Sequence, residues 1–214
     1  MGIFDGLFGR KQVVDNRQGG PIGAWCQEHN WRYWRRNDEI AEEFTGLPGF
    51  LHNDGKEAWH VMRGRHQNHS VTAFHYCYKV KRESRHGRKH VEQFRYQVVG
   101  IAIPRPRPTL TVSREFWDSK FDLDLDSVEF NENFKVKIDK QFTRFASDLL
   151  HSGMTEWLLA DERAMRHKWP FRIEGDNLYT WERWQETPEI EPILERVGYL
   201  IDIYQQAPEW VWRY

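Results

Sequence analysis

Two runs of alternating side chains, 71–81 and 92–103, constrain this chain more than any other feature, because only one mutual pairing buries their rings together. If 82–91 turns with residue 86 at its centre, Tyr78 stands opposite Phe94, Tyr76 opposite Tyr96 and Phe74 opposite Val98. One face of the hairpin then carries a cross-strand aromatic ladder, and a slip of one residue would turn every ring to the wrong side. The other face gathers His75, Cys77, Gln93, Arg95 and Gln97. Segments 57–65 and 109–114 alternate in the same way, which predicts a four-stranded antiparallel meander. Pro104-Arg105-Pro106-Arg107-Pro108 links its last two strands as extended polyproline, since no proline can donate to a ladder.

A second hairpin is expected at 121–126 and 134–139. Leu123 pairs there with Val136, and Asp122 and Asp124 oppose Lys137 and Lys135, so the aspartate row reads as a neutralised outer face. Asn37-Asp38-Glu39-Ile40 with Ala41 and Phe44 predicts a short capped helix ending near Gly46. Asp139 caps a helix carrying Phe142, Phe145, Ala146, Leu149 and Leu150, and Gly153 breaks the run before Met154, Trp157 and Leu158 begin another. Phe171 to Trp181 reads as a tight hairpin around Gly175-Asp176, with glycine suited to a type II′ turn. Thr187-Pro188-Glu189 opens the longest helix, whose buried stripe is Ile190, Ile193, Leu194, Val197, Leu200, Ile201 and Tyr204. The fold class is therefore α+β: an antiparallel sheet of about six strands covered on one face by the helices of 140–165 and 188–206.

Residues 2–11 place Ile3, Phe4, Leu7 and Phe8 on one helical stripe with Arg10 and Lys11 behind, and 16–23 is polar and glycine-rich. The expected organisation is an amphipathic arm and linker over 1–23 and a single domain over 24–214. Position 6 lacks the serine or threonine that N-myristoylation favours, so no lipid on Gly2 is expected; the arm reads as a docking peptide or a peripheral membrane foot, with an end that frays or folds back on the domain as the alternative. With 31 Lys and Arg against 32 Asp and Glu, the net charge of −1 provides no global field for nucleic acid or anionic lipid. The two cysteines and the absence of a long apolar run predict a soluble cytoplasmic protein with reduced thiols.

The stretch Ser127-Val128-Glu129-Phe130-Asn131-Glu132-Asn133-Phe134-Lys135-Val136, followed by Phe145-Ala146-Ser147-Asp148-Leu149-Leu150 and Trp157-Leu158-Leu159, resembles a pattern of uncharacterised bacterial proteins, chiefly actinobacterial. Ile173-Glu174-Gly175-Asp176 and Ala207-Pro208 extend the resemblance over about residues 100–210. It implies one domain with no assigned activity and transfers no catalytic residue. The opening Met1-Gly2-Ile3-Phe4 through Arg10-Lys11 also resembles the starts of bacterial and phage proteins, which leaves a phage or prophage origin open.

Eleven Trp, 13 Phe and eight Tyr favour a binder, because large rigid rings bury much area with few torsions to freeze. Three candidate partner surfaces follow: Phe4, Leu7, Phe8, Arg10 and Lys11 on the arm; Arg82, Arg85, Arg88 and Lys89 at the hairpin tip; and Trp210 and Trp212 in the tail. The leading reading is a non-catalytic protein-interaction or assembly module tethered by its arm, with a protein partner, no cofactor and an oligomeric state the sequence leaves open. Two alternatives stand beside it. Cys26, His29, His75 and Cys77 are residue types that zinc accepts, and Glu129, Glu132 and His151 are candidates for a hydrolytic cluster. The basic tip of 79–90 beside a ring-bearing sheet fits a single-stranded nucleic-acid binder, although Glu83 and Glu92 interrupt its charge.

Overall fold

A computed structural model describes residues 19–50, 55–83, 89–114, 122–184 and 189–213. Seven strands form one antiparallel sheet among these residues: β1 (Arg32–Arg36), β2 (Glu57–His66), β3 (His69–Glu83), β4 (Lys89–Ser113), β5 (Asp122–Leu123), β6 (Lys135–Ile138) and β7 (Phe171–Arg183). They follow the order β1-β2-β3-β4-β6-β5, and β7 pairs with β4. The register of the central hairpin is the one its rings dictate, with Tyr78 opposite Phe94, Tyr76 opposite Tyr96 and Phe74 opposite Val98. Asp122 pairs with Lys137 and Leu123 with Val136, as the alternation requires, but the strand ends there, so the expected run to 126 and the Asp124–Lys135 pair do not form.

Two expected strand boundaries are corrected. Segments 92–103 and 109–114 are one 25-residue strand, β4, and 171–181 is no hairpin but part of the single 13-residue β7 beside it. The pairs Ala102↔Asn177, Arg107↔Gly175 and Leu110↔Ile173 show where the register shifts. Prolines at 104, 106 and 108 remove ladder donors yet hold an extended backbone, so β4 bulges and resumes instead of turning. Gly175, at φ +58°, absorbs the partner side of that irregularity. A positive-φ glycine serves a bulge as well as a turn.

Helices cover one face: α1 (Gly20–Glu28), α2 (Val128–Asn133), α3 (Thr143–Leu149), α4 (Ser152–Ala160), α5 (Glu162–Met165), α6 (Glu191–Gln206) and α7 (Glu209–Arg213). Val71, Ala73, Val99 and Ile101 of the sheet pack there with Leu158, Ile193, Val197 and Leu200 of the helices. Asp139 accepts a hydrogen bond from the Gln141 amide, as expected of a cap. The break before α4 falls at Leu150 and His151 rather than at Gly153, because the His151 ring accepts from the Gly153 amide and starts the helix. The long helix begins at Glu191, later than its sequence signals suggest; Thr187 and Pro188 lie outside the described residues. Residues 20–23, given to the linker by their glycine content, belong to α1, where Ile22 is buried.

The ladder face has a smaller core of its own. A 3₁₀ helix, Asp38–Glu43, and the turns after it bring Ile40, Ala41, Phe44 and Leu47 onto Phe74, Tyr76 and Val98. Glu174 fixes this cover to the sheet: it accepts from Thr45 Oγ1 at 2.6 Å, the Gly46 amide at 3.1 Å and the Tyr179 hydroxyl at 2.7 Å, and Arg172 pairs with it at 3.0 Å. Burial alone would raise its carboxyl, but the bonds from Arg172, Thr45 and Tyr179 hold it below the usual value. Gly46 leaves room for the arginine, since a Cβ would fall 1.9 Å from Arg172 Nε and push that side chain off Glu174.

Candidate functional site

Under the helices the sheet carries a line of polar groups that a core of this kind avoids unless each is satisfied. His60 sits at the bulge of β2 with φ +49°, and its Nδ1 pairs with the Tyr33 hydroxyl at 2.6 Å. Its ring meets that of His75 edge-on at 5.6 Å, and His75, 1% exposed, stacks flat on Trp184 at 4.2 Å. Gln97, directly across the ladder, places its side-chain nitrogen 3.4 Å from His75 Nε2. Arg196 of α6 donates to Gln97 Oε1, to Glu182 and, at 2.9 Å, to the Pro192 carbonyl, and its guanidinium lies 4.6 Å over Trp169.

The donors fix the proton positions. Arg196 can only donate, so Gln97 presents its carbonyl to the arginine and its amide nitrogen to His75. His75 Nε2 must then accept, which leaves the proton on Nδ1, a buried atom without a partner among the described residues. Burial, then His60 and Arg196, push this imidazole down to about 3, and burial lowers His60 as well. Burial also brings Arg196 down to about 10. A neutral imidazole, a hydrogen-bonded amide and a paired arginine thus form one buried polar chain.

The four residues offered for the alternative zinc reading form no cluster among the described residues. Cys26 is fully buried in α1, with burial holding its thiol up at about 12, and exposed His29 stacks on Trp25 at 4.1 Å. Cys77 is a second buried free thiol raised by burial. No group of three or more His, Cys, Asp or Glu able to hold a metal occurs among the described residues. His151 spends both ring nitrogens on backbone, one accepting from Gly153 and the other 3.2 Å from the Gln206 carbonyl, so it is not free to act with Glu129 and Glu132.

Of the partner surfaces, Phe4, Leu7, Phe8, Arg10 and Lys11 lie outside the described residues, as do Arg85 and Arg88. Arg82 and Lys89 are exposed, and Arg82 pairs with Glu92 at 2.9 Å. The tail is the helix α7, which divides its tryptophans. Trp210 is 47% exposed, whereas Trp212 is a core residue whose indole donates to the Tyr204 carbonyl, so it is withdrawn from the partner surface. The aromatic ladder is half open: Tyr78 is buried, but Phe94, Tyr96 and Trp181 are only partly covered. Tyr78 stacks on Phe94 at 4.9 Å and Arg183 lies 5.6 Å over the Phe94 ring, so these faces are taken and no row of free rings awaits bases. An open groove of about 540 Å³ lies between Thr109, Lys137, Lys140, Phe142 and Arg172. Its arginine is bound to Thr111 and Glu174, and Asp139 lines the groove beside Lys137 and Lys140.

No family model matches the chain, and no curated protein matches it. Among solved structures it is similar to the mycobacterial trehalose monomycolate transport factor A, TtfA, with a TM-score of 0.56 and 12% identity, over 89% of this chain and 96% of that one. The likeness is one of fold. No helix among the described residues is long and apolar enough to cross a membrane.

Proposed function

We propose that the protein is a non-catalytic interaction module that docks a protein partner on the open end of its aromatic ladder and is tethered by its N-terminal arm. The observation that carries this reading is the incomplete cover. The 37–50 segment seals Phe74 and Tyr76 but leaves Phe94, Tyr96 and Trp181 partly exposed, with Arg183 beside them. Tyrosine, tryptophan and arginine at the margin of a well-packed core are the residue types that dominate binding energy in protein interfaces. A fold shared with a protein named as a transport factor is compatible with such a role. The resemblance of 100–210 to actinobacterial proteins without an assigned activity is part of the same reading.

Crosslinking in the native host, capture of the chain and mass spectrometry test it. The wild type should hold a defined protein that a Tyr96→Ser, Trp181→Ser variant releases, with the loss of roughly 2 kcal/mol or more per anchor that interface hot spots show. Identical capture by both chains, or substrate turnover by the pure protein, would overturn the reading.

A further inference from the structure

We infer that the far end of the β3–β4 hairpin is a docking surface for an anionic lipid bilayer. β2 stops pairing at Glu57↔Cys77 and β7 at Tyr96↔Arg183, so from Tyr78↔Phe94 to Glu83↔Lys89 the two strands pair only with each other. The result is a two-stranded ribbon beyond the body of the sheet. Its pairing is continuous, so side chains alternate strictly between its faces.

The two faces differ in kind. One continues the ladder through Tyr78, Val80 and Phe94, with Arg82 and Glu92 joined as an ion pair. The other carries Lys79, Lys81 and Lys89, all exposed, with Arg95 at its foot; its acids are Glu83 and, where the ribbon leaves the sheet, Glu57, 3.7 Å from Lys79. At its middle stands Val91, directly across from Lys81 and 59% exposed, one of the few large apolar side chains the domain leaves in water. A chain whose net charge is −1 has thus gathered three lysines around one apolar residue on a ribbon that extends past its sheet neighbours.

A bilayer with anionic headgroups matches this pattern. Long basic side chains reach headgroup phosphates while an apolar residue enters the boundary between them, and each cation near such a surface raises partitioning about fivefold. Nucleic acid fits less well, because the rings lie on the opposite face and stack on one another. This surface is separate from the half-open rings proposed above for a protein partner, so either reading can fail alone.

Flotation of the full chain with vesicles decides the matter. Vesicles with about 30% phosphatidylglycerol in phosphatidylcholine should bind it, and pure phosphatidylcholine should not. Binding should fall away between about 0.1 M and 0.5 M salt, as screening shortens. Lys81→Glu with Lys89→Glu should weaken it at least tenfold while melting stays unchanged, and Val91→Asp should weaken it too. In a chain carrying Phe4→Ser and Phe8→Ser the salt-sensitive binding should remain. No binding to the anionic vesicles, or binding that the ribbon variants keep and the arm variant loses, overturns the inference. So does a ribbon that binds no vesicle but whose charge reversal releases a captured acidic protein.

Discussion

The proton on His75 is placed by its neighbours, and moving it should be felt by the whole domain. Were Nε2 to gain a proton, it would face the Gln97 amide donors; turning the amide would aim those donors at Arg196 instead. The folded imidazole is therefore held down to about 3, whereas an unfolded one keeps the ordinary histidine value of about 6.5. Between these the unfolded chain binds more protons, so the stability tied to His75 is complete above pH 6.5 and declines as pH falls toward 3. At about 1.4 kcal/mol per unit, the wild type should lose about 2 kcal/mol between pH 6.5 and 5, above the range where carboxylates titrate. His75→Gln should flatten that slope in urea unfolding curves, leaving smaller parts for His60 and His69, which burial also lowers. Parallel decline in both proteins would remove His75 as the group responsible.

Which elements the sequence disclosed follows from how local their causes are. The ladder was legible because hairpin register is set by a pattern of period two within 33 residues, 71–103. β7 was not, because a glycine at φ +58° is compatible with a turn or a bulge, and only a 25-residue partner strand decides between them. The buried polar chain was half legible: His75 and Gln97 fell opposite one another in the expected register, but Glu182 and Arg196 come from distant elements. Arg196 had a signal of its own, a charge three residues after Ile193 inside the buried stripe of α6, where Tyr199 and Ile203 are also buried. The 3₁₀ cover was anticipated as a helix, but not as the lid of a second core. Phe44 holds that lid, fully buried, 5.2 Å from Phe74 and 5.0 Å edge-on to Tyr179, and closing over Gly100. Phe44→Ala should cost about 3–5 kcal/mol, most of it as a faster unfolding of the lid, measured by denaturant melts with near-ultraviolet dichroism of the ladder rings. A cost under about 1 kcal/mol would show that the lid rests on the Glu174 bonds instead of on this ring.

At the scale of the molecule, the two proposed surfaces are the half-open rings and the basic ribbon, while residues 1–18, expected as an arm, lie outside the described residues. The arm is separable from the fold only if the domain begins where its first buried side chains do, and Ile22 and Cys26 of α1 set that limit. Gly19 also matters, because Tyr33 and Gly23 crowd against it so closely that a Cβ would fall 2.6 Å from the tyrosine ring. Cutting at Pro21, inside α1, would remove the first residues of the helix and mix two effects. Cutting before Gly19 leaves the helix whole. A chain starting at Gly19 should melt within about 2–4 °C of the full chain, the shift that about 1 kcal/mol produces in a domain of this size. It should lose only the share of partner retention or co-sedimentation that Ile3, Phe4, Leu7 and Phe8 supply, while the salt-sensitive vesicle binding of the ribbon persists. A melting temperature lower by 10 °C or more, about 3 kcal/mol on the same scale, would mean that residues 1–18 complete the core, and the arm would cease to be a tether.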